Sequence, residues 1–303
     1  MKIATALLAL ALAVPGAVPS LHEAFNAEQC YSYTAEIVGF GMRYPGSTGH
    51  QKTEDLVRQV VKRDGGQFST DDFVDNSPRG KVPVHNLIGK FNGSKNANQP
   101  IFILAGHYDT LFKPKGFVGA NDGGSSTAIL LSFADALREA KPTHMQIWLV
   151  WTDFEEAVDS FQGSDGLVGS RHLAHEIAAE GLVPRIRGFF LLDMIGDKNL
   201  NVDKESSSTP WLQSFIMSAA QKLGYQQYFF KYSTEIIDDQ KSFADVGIPV
   251  VDVVDAQFGP MPGDGMGAYH HTLQDTLDKV SAHSLMVVGR TVLLAVELID
   301  AQA

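Results

Sequence analysis

The chain has 303 residues, 44% of them apolar, and carries a net charge of −11 at pH 7. That is enough apolar chain to bury a full core and is ordinary for one α/β enzyme domain. The acidic balance, with no cluster of Lys or Arg, excludes phosphate-backbone binding, so no nucleic-acid partner is expected.

Met1-Lys2, the apolar run Ile3–Val14 and the small-residue stretch Pro15–Ser20 read as an export signal. Residues 1–20 are therefore set aside, and 21–303 are expected to form a single catalytic domain, secreted or periplasmic, and monomeric. No other stretch reads as a membrane helix, so no membrane partner is expected after signal removal. Cys30 is the only cysteine, which precludes an intrachain disulfide.

Ala24–Phe40 has helical spacing, and a helix near Gln51–Arg63 puts Leu56, Val57, Val60 and Val61 on one face. Gly65-Gly66 ends it. Gln67–Val74 and Val84–Phe91 alternate as half-buried strands suited to an antiparallel edge. Asn92-Gly93-Ser94 is a turn, and a glycan acceptor in a host that glycosylates. From Pro100 the pattern changes to continuous apolar runs. Ile101–Ala105, Ile147–Trp151, Phe189–Leu192 and Val250–Val254 read as strands buried on both faces. Helices are expected at Ser126–Glu139, Ser170–Ala179, Trp211–Leu223 and Ser281–Ala301. The alternation predicts an α/β three-layer sandwich around a mostly parallel, mixed sheet.

Ligands of open α/β sheets sit beyond the carboxyl ends of the strands. Here those ends lead to His107 and Asp109, to Glu155-Glu156, to Asp193, and to Asp255 with a Gly/Pro-rich loop ending in His270-His271. Asn121-Asp122-Gly123-Gly124 adds a carboxylate before a helix. Adjacent Glu155 and Glu156 repel each other, and a metal ligand beside a general base is one arrangement that uses both. Read singly, the pair suits a solvated loop, Asp122 a helix cap, and His271 a loop histidine. Taken together they form a cluster of oxygen and nitrogen donors without thiolate, which suits Zn²⁺, with Mn²⁺ or Co²⁺ as alternatives. His22, His50, His85, His144, His172, His175 and His283 lack such a setting and are not expected to be ligands.

Gly106-His107-Tyr108-Asp109, Gly119-Ala120-Asn121-Asp122-Gly123, Asp153-Phe154-Glu155-Glu156, Leu192-Asp193-Met194 and His271-Thr272 resemble the zinc metallopeptidase M28 superfamily, in order along the chain. Glu155-Glu156-Ala157, the long loop to Gly169-Ser170-Arg171, the segment Arg43-Tyr44-Pro45-Gly46-Ser47 and Ile237-Asp238-Asp239 resemble its animal-type glutaminyl cyclase branch (glutaminyl-peptide cyclotransferases). That resemblance implies a zinc aminopeptidase-like fold and conversion of N-terminal glutamine of peptides to pyroglutamate with release of ammonia. Asp122, Glu156 and His271 would hold one zinc, Glu155 would carry the proton, and Asp193 and Asp238 would form a hydrogen-bonded acidic pair. Phe161, His270, Phe258 and Ile237 are the candidate pocket walls.

The resemblance leaves a second reading, a secreted dizinc aminopeptidase with Asp122 bridging and His107 and Asp193 on the second ion. A catalytically inactive binding module is the third. The sequence departs from the cyclase pattern at three places. Phe161 and His270 stand where that branch has tryptophans, and Gln240 where it has histidine.

Overall fold

A computed structural model describes residues 18–91, 98–161, 163–260 and 266–302. The expected export signal up to residue 17 and the Asn92-Gly93-Ser94 turn lie outside them.

In chain order the elements are α1 (Leu21–Ala24), α2 (Ala27–Gly39), α3 (Thr48–Arg63), β1 (Gln67–Ser77), β2 (Gly80–Phe91), β3 (Ile101–His107), α4 (Gly124–Glu139) and β4 (Gln146–Thr152). Then come α5 (Val168–Ala179), β5 (Ile186–Asp193), β6 (Val202–Glu205), α6 (Pro210–Leu223), β7 (Phe229–Thr234), α7 (Gln240–Asp245), β8 (Val250–Val254) and α8 (Ala282–Asp300).

The main sheet has the order β1-β2-β4-β3-β5-β8. β4, β3, β5 and β8 run parallel, and the β1–β2 hairpin is antiparallel at one edge. It is thus the mixed sheet expected. Strand alternation sends Phe102, Leu104, Leu149, Phe190, Leu192, Val251 and Val253 to one face, against α2, α4, α6 and α8. Ile101, Ile103, Ala105, Val150, Phe189, Leu191 and Val250 go to the other, against α5 and α7. Burying each such side chain contributes roughly 1.5–3 kcal/mol, so these two faces dominate the folding energy.

Four elements were not anticipated: the single-turn α1, β6 and β7, which pair as a separate two-stranded sheet, and the one-and-a-half-turn α7. The membrane-helix reading also needs correction. Among the described residues, α8 is long and apolar enough to span a bilayer. It is instead packed against α1, α2, α4 and α6, with Leu285, Val288, Val292 and Val296 fully buried.

The sheet places the chemistry. Successive parallel strands flank β3 on opposite sides, so the connections after β3, β4 and β5 diverge and leave a crevice beyond their carboxyl ends. At the base of that crevice, a Cβ on Gly106 would lie 2.6 Å from Ser126 Cβ, so glycine lets the end of β3 meet the start of α4.

Candidate active site

His107 and Asp193 end strands β3 and β5, whereas Asp122, Glu155 and Glu156 lie on loops held by buried polar groups. Asp109, fully buried, accepts hydrogen bonds from the backbone N–H groups of Glu155 at 3.1 Å and Glu156 at 3.3 Å. Three backbone bonds, from Leu167, Val168 and Gly169 to the carbonyls of Glu155, Phe154 and Asp153, lash the same loop to the start of α5. That is the structural meaning of the Gly-Leu-Val-Gly-Ser-Arg stretch. Asn121 bonds the Met194 carbonyl at 3.1 Å and the Gly196 N–H at 2.7 Å, tying the Asp122 loop to the end of β5.

Gly123, at φ +72°, begins α4, and a Cβ there would sit 2.5 Å from the Asp109 carbonyl. Phe154, Met194 and His271 also adopt left-handed φ values of 54°, 48° and 54° without being glycine. Such conformers cost on the order of 1–3 kcal/mol each and gather where a site must be held in one shape.

His271 lies close to both of the other candidate ligands, Glu156 and Asp122. His271 Nε2 lies 3.3 Å from Glu156 Oε2 and 3.5 Å from Asp122 Oδ2. Two donors each about 2.0–2.1 Å from a tetrahedral zinc stand roughly 3.3 Å apart, so these separations suit one ion. Among the described residues, Asp122 Oδ2 and both Glu156 oxygens are buried without a hydrogen-bond partner. An uncompensated buried carboxylate is costly, and a cation between them relieves it. The residues fit zinc.

His107 Nε2 lies 3.1 Å from the other oxygen of Asp122, Oδ1, and 3.2 Å from Asp193 Oδ1, a second group of candidate ligands that shares Asp122 with the first. His270 stacks on His271 at 3.6 Å and groups with Asp122 and His271 as a further nitrogen donor.

Charge follows the geometry. Burial, with the charges of Asp238 and Glu156, holds the Glu155 carboxyl well above its usual range. Burial and Asp122 push Glu156 to about 7. Burial disfavours the imidazolium of His271, but Glu156 and Asp122 outweigh it and raise that ring to about 9. Burial, followed by the charges of Asp193 and Asp239, raises Asp238 well above the carboxylate range.

A cavity of about 200 Å³ opens above these groups, lined by Asp122, Glu155, Phe161, Asp193, Met194, Ile236, Ile237, Asp238, Met266, His270 and His271. Of the candidate pocket walls, Phe161, Ile237 and His270 are among these lining residues. Phe258 is not. It is fully buried behind the wall, packed with Met194 and Val254 and edge-on to Tyr269.

Asp193 and Asp238 both face the cavity, but they are not the bonded pair expected. Asp193 bonds His107 and the Met194 N–H, and Asp238 accepts from the Asp239 N–H. Asp255 accepts from the Asn201 and Gln257 N–H groups and is not among the lining residues. His50, not expected to be a ligand, is buried with Nε2 2.7 Å from Asp153 Oδ1, and so supports the start of the loop that carries Glu155. Met194, Ile236 and Met266 were not anticipated in the lining. Asp109 and Asn121 fall within the motifs quoted above, but their hydrogen bonds to neighbouring loops were not anticipated.

A model of peptidase family M28 matches residues 86–296. The chain belongs to peptidase family M28. Among relatives of this M28 protein, a glutaminyl-peptide cyclotransferase of Drosophila melanogaster is 32% identical over 160 residues, covering 51% of this chain and 44% of that one. The match thus spans less than half the length of that relative. A Bos taurus glutaminyl-peptide cyclotransferase is 27% identical over 253 residues, 71% of this chain and 69% of that one. The crystal structure of an Acidobacteriales bacterium glutaminyl cyclase superposes with a TM-score of 0.88 at 38% identity, covering 97% of this chain and 100% of that one. A Zn-dependent exopeptidase from Parabacteroides distasonis gives a TM-score of 0.79 at 28% identity, covering 93% and 99%.

Proposed function

We propose that residues 21–303 form one zinc-dependent glutaminyl cyclase domain acting on peptide N-termini, exported by the signal at 1–20. The observation that carries the choice is Phe161. The long loop after Glu155-Glu156, the feature that separates cyclase-like from aminopeptidase-like sequences, brings this ring into the wall of the cavity holding Glu155 and Asp238. The full-length likeness to a solved glutaminyl cyclase supports the same reading.

Zinc held by Asp122, Glu156 and His271 would supply Lewis acidity toward the γ-amide carbonyl of an N-terminal glutamine. Glu155 accepts a proton from the α-amine as its nitrogen bonds the γ-carbonyl carbon, then delivers that proton to the departing amide nitrogen. The C–N bond breaks, ammonia leaves, and the ring is closed. A carboxyl raised by burial and by Asp238 and Glu156 suits this transfer, because it is a stronger base toward the amine than an ordinary carboxylate and keeps the proton until the amide nitrogen departs. Asp238, itself raised, stands ready as a hydrogen-bond donor to the substrate's polar groups, while Phe161 and Ile237 exclude water from the side chain.

One observation favours a second reading. His107, Asp122 and Asp193 form a complete second ligand group. With two ions, Glu155 would instead take a proton from an attacking water and the enzyme would be an aminopeptidase.

Side-by-side assay of glutaminyl and leucyl chromogenic peptides, with zinc counted per chain, tests the choice. Ammonia release with one zinc supports the cyclase, and leucine release with two zincs overturns it.

A further inference from the structure

Arg43 opens the Arg43-Tyr44-Pro45-Gly46-Ser47 segment, whose turn chemistry explains nothing about its first residue. The arginine is fully buried, yet no carboxylate hydrogen-bonds it. Its guanidinium is spent on backbone carbonyls: Nε on Tyr108 at 3.1 Å, Nη1 on Val118 at 2.6 Å, and Nη2 on Gly119 at 2.9 Å and Asp122 at 3.5 Å. Its own N–H donates to Thr110 Oγ1 at 2.8 Å. All four carbonyls belong to the segments that present His107 and Asp122. A planar fork of five donors can do this, and an ammonium cannot.

The N–H groups of the same loop go to another residue. Asp275 accepts from the Asn121 N–H at 2.8 Å and the Asp122 N–H at 3.1 Å, and its carbonyl from the Ala120 N–H at 3.4 Å. Asp275 follows His271 within one turn-rich segment, its own N–H bonded to the Thr272 carbonyl at 3.1 Å. One carboxylate thus joins the backbone of one ligand to the chain segment of another.

We infer that Arg43 and Asp275 are positioning residues that clamp the Asp122 loop from its carbonyl and its N–H sides, fixing Asp122 against His271 and so setting the zinc affinity of the centre. This rests on Asp122 and His271 holding the ion, and not on which reaction the centre performs. Charge reinforces the clamp. The buried guanidinium lies among Asp275, Asp122, Asp109 and Glu156 and offsets their mutual repulsion before any metal arrives. Partners that orient ligands in this way are worth 10–100-fold in metal affinity as a class.

The test is zinc affinity measured by chelator competition on the full protein, for wild type, Asp275→Asn, Arg43→Lys and His271→Ala, each with the melting temperature of its chelator-stripped form. Asp275→Asn keeps the shape but turns an N–H donor toward an N–H donor. Arg43→Lys keeps the charge and abandons most of the carbonyls. Both are expected to bind zinc about 10–100-fold more weakly, to shift the visible spectrum of the cobalt-loaded protein, and to lose less metal-free stability than zinc-binding free energy. Unchanged zinc affinity in both variants overturns the clamp, as does weaker binding matched by an equal loss of metal-free stability. Failure of the ligand assignment looks different, because His271→Ala would then bind zinc like wild type.

Discussion

Glu156 Oε2 and His271 Nε2 stand 3.3 Å apart although they come from the loop after β4 and the segment before α8. The Glu156 oxygens have no other partner among the described residues, so removing the imidazole strands a buried carboxylate. His271→Ala and Glu156→Gln are each expected to leave the purified protein without stoichiometric zinc by elemental analysis, while circular dichroism stays that of wild type. Full zinc occupancy in either variant would remove that residue from the ligand set.

Glu155 touches the pocket but is not needed to complete the ligand group. Glu155→Gln should therefore lower kcat by about 10²–10⁴-fold, the usual range for loss of a general acid–base group, with zinc content unchanged. Turnover near wild type in the zinc-loaded variant would eliminate Glu155 as the proton carrier.

The buried carboxyls make metal-free stability depend on pH with a definite sign. Burial and Asp122 raise Glu156 from 4.5 to about 7 and Asp275 from 3.8 to about 7. His271 is disfavoured as a cation by burial but raised by Glu156 and Asp122 from 6.5 to about 9. Every folded-state value lies above its unfolded one, so the folded protein binds more protons and stability is lost as pH rises. The window runs through 4–7 for the acids and 6.5–9 for the histidine. The melting temperature of chelator-stripped protein should fall from pH 6 to pH 9, and zinc-loaded protein should fall less. A rise for the stripped form would contradict the buried-acid picture.

Zinc must displace the proton that Glu156 and Asp122 hold on His271 up to about pH 9. Apparent zinc affinity, measured by competition at fixed ionic strength, should climb steadily between pH 6 and pH 9. A flat profile would mean that His271 enters the site already neutral.

Phe161 lines the cavity while 43% exposed, so it contributes a wall and no chemistry. Phe161→Ala should raise KM for a glutaminyl peptide by up to about tenfold, equivalent to roughly 1.4 kcal/mol of lost contact, with kcat held within a few-fold. An equal fall in kcat at unchanged KM would assign the ring to the transition state instead.

Much of this was legible in the sequence because strand-end chemistry is local. The apolar runs of β3, β4, β5 and β8 are unbroken, and His107, Asp193 and Glu155-Glu156 lie at or just past strand ends, so the sheet alone brings them together. The elements that escaped are those with too few residues to show a period. β6 is Val-Asp-Lys-Glu, and α7 is shorter than two turns. Phe258 misled because an aromatic in a Gly/Pro-rich loop looks like a wall; whether it faces the cavity or backs Met194 depends on how the loop folds over itself. The roles of Arg43, Asn121, Asp109 and Asp275 rest on bonds to backbone atoms of distant loops, which leave no trace in residue spacing.

Phe154, Met194 and His271 share a backbone shape that glycine would adopt more comfortably. Each has a use for its side chain: Phe154 packs under the Glu155 loop with Val84 and Val168, Met194 backs the cavity with Phe258, and His271 offers its nitrogen. Heat resistance and catalytic sharpness therefore pull in opposite directions at these positions. Directed evolution that screens only for survival at high temperature should accumulate relaxed backbones there and return sturdier proteins with slacker pockets.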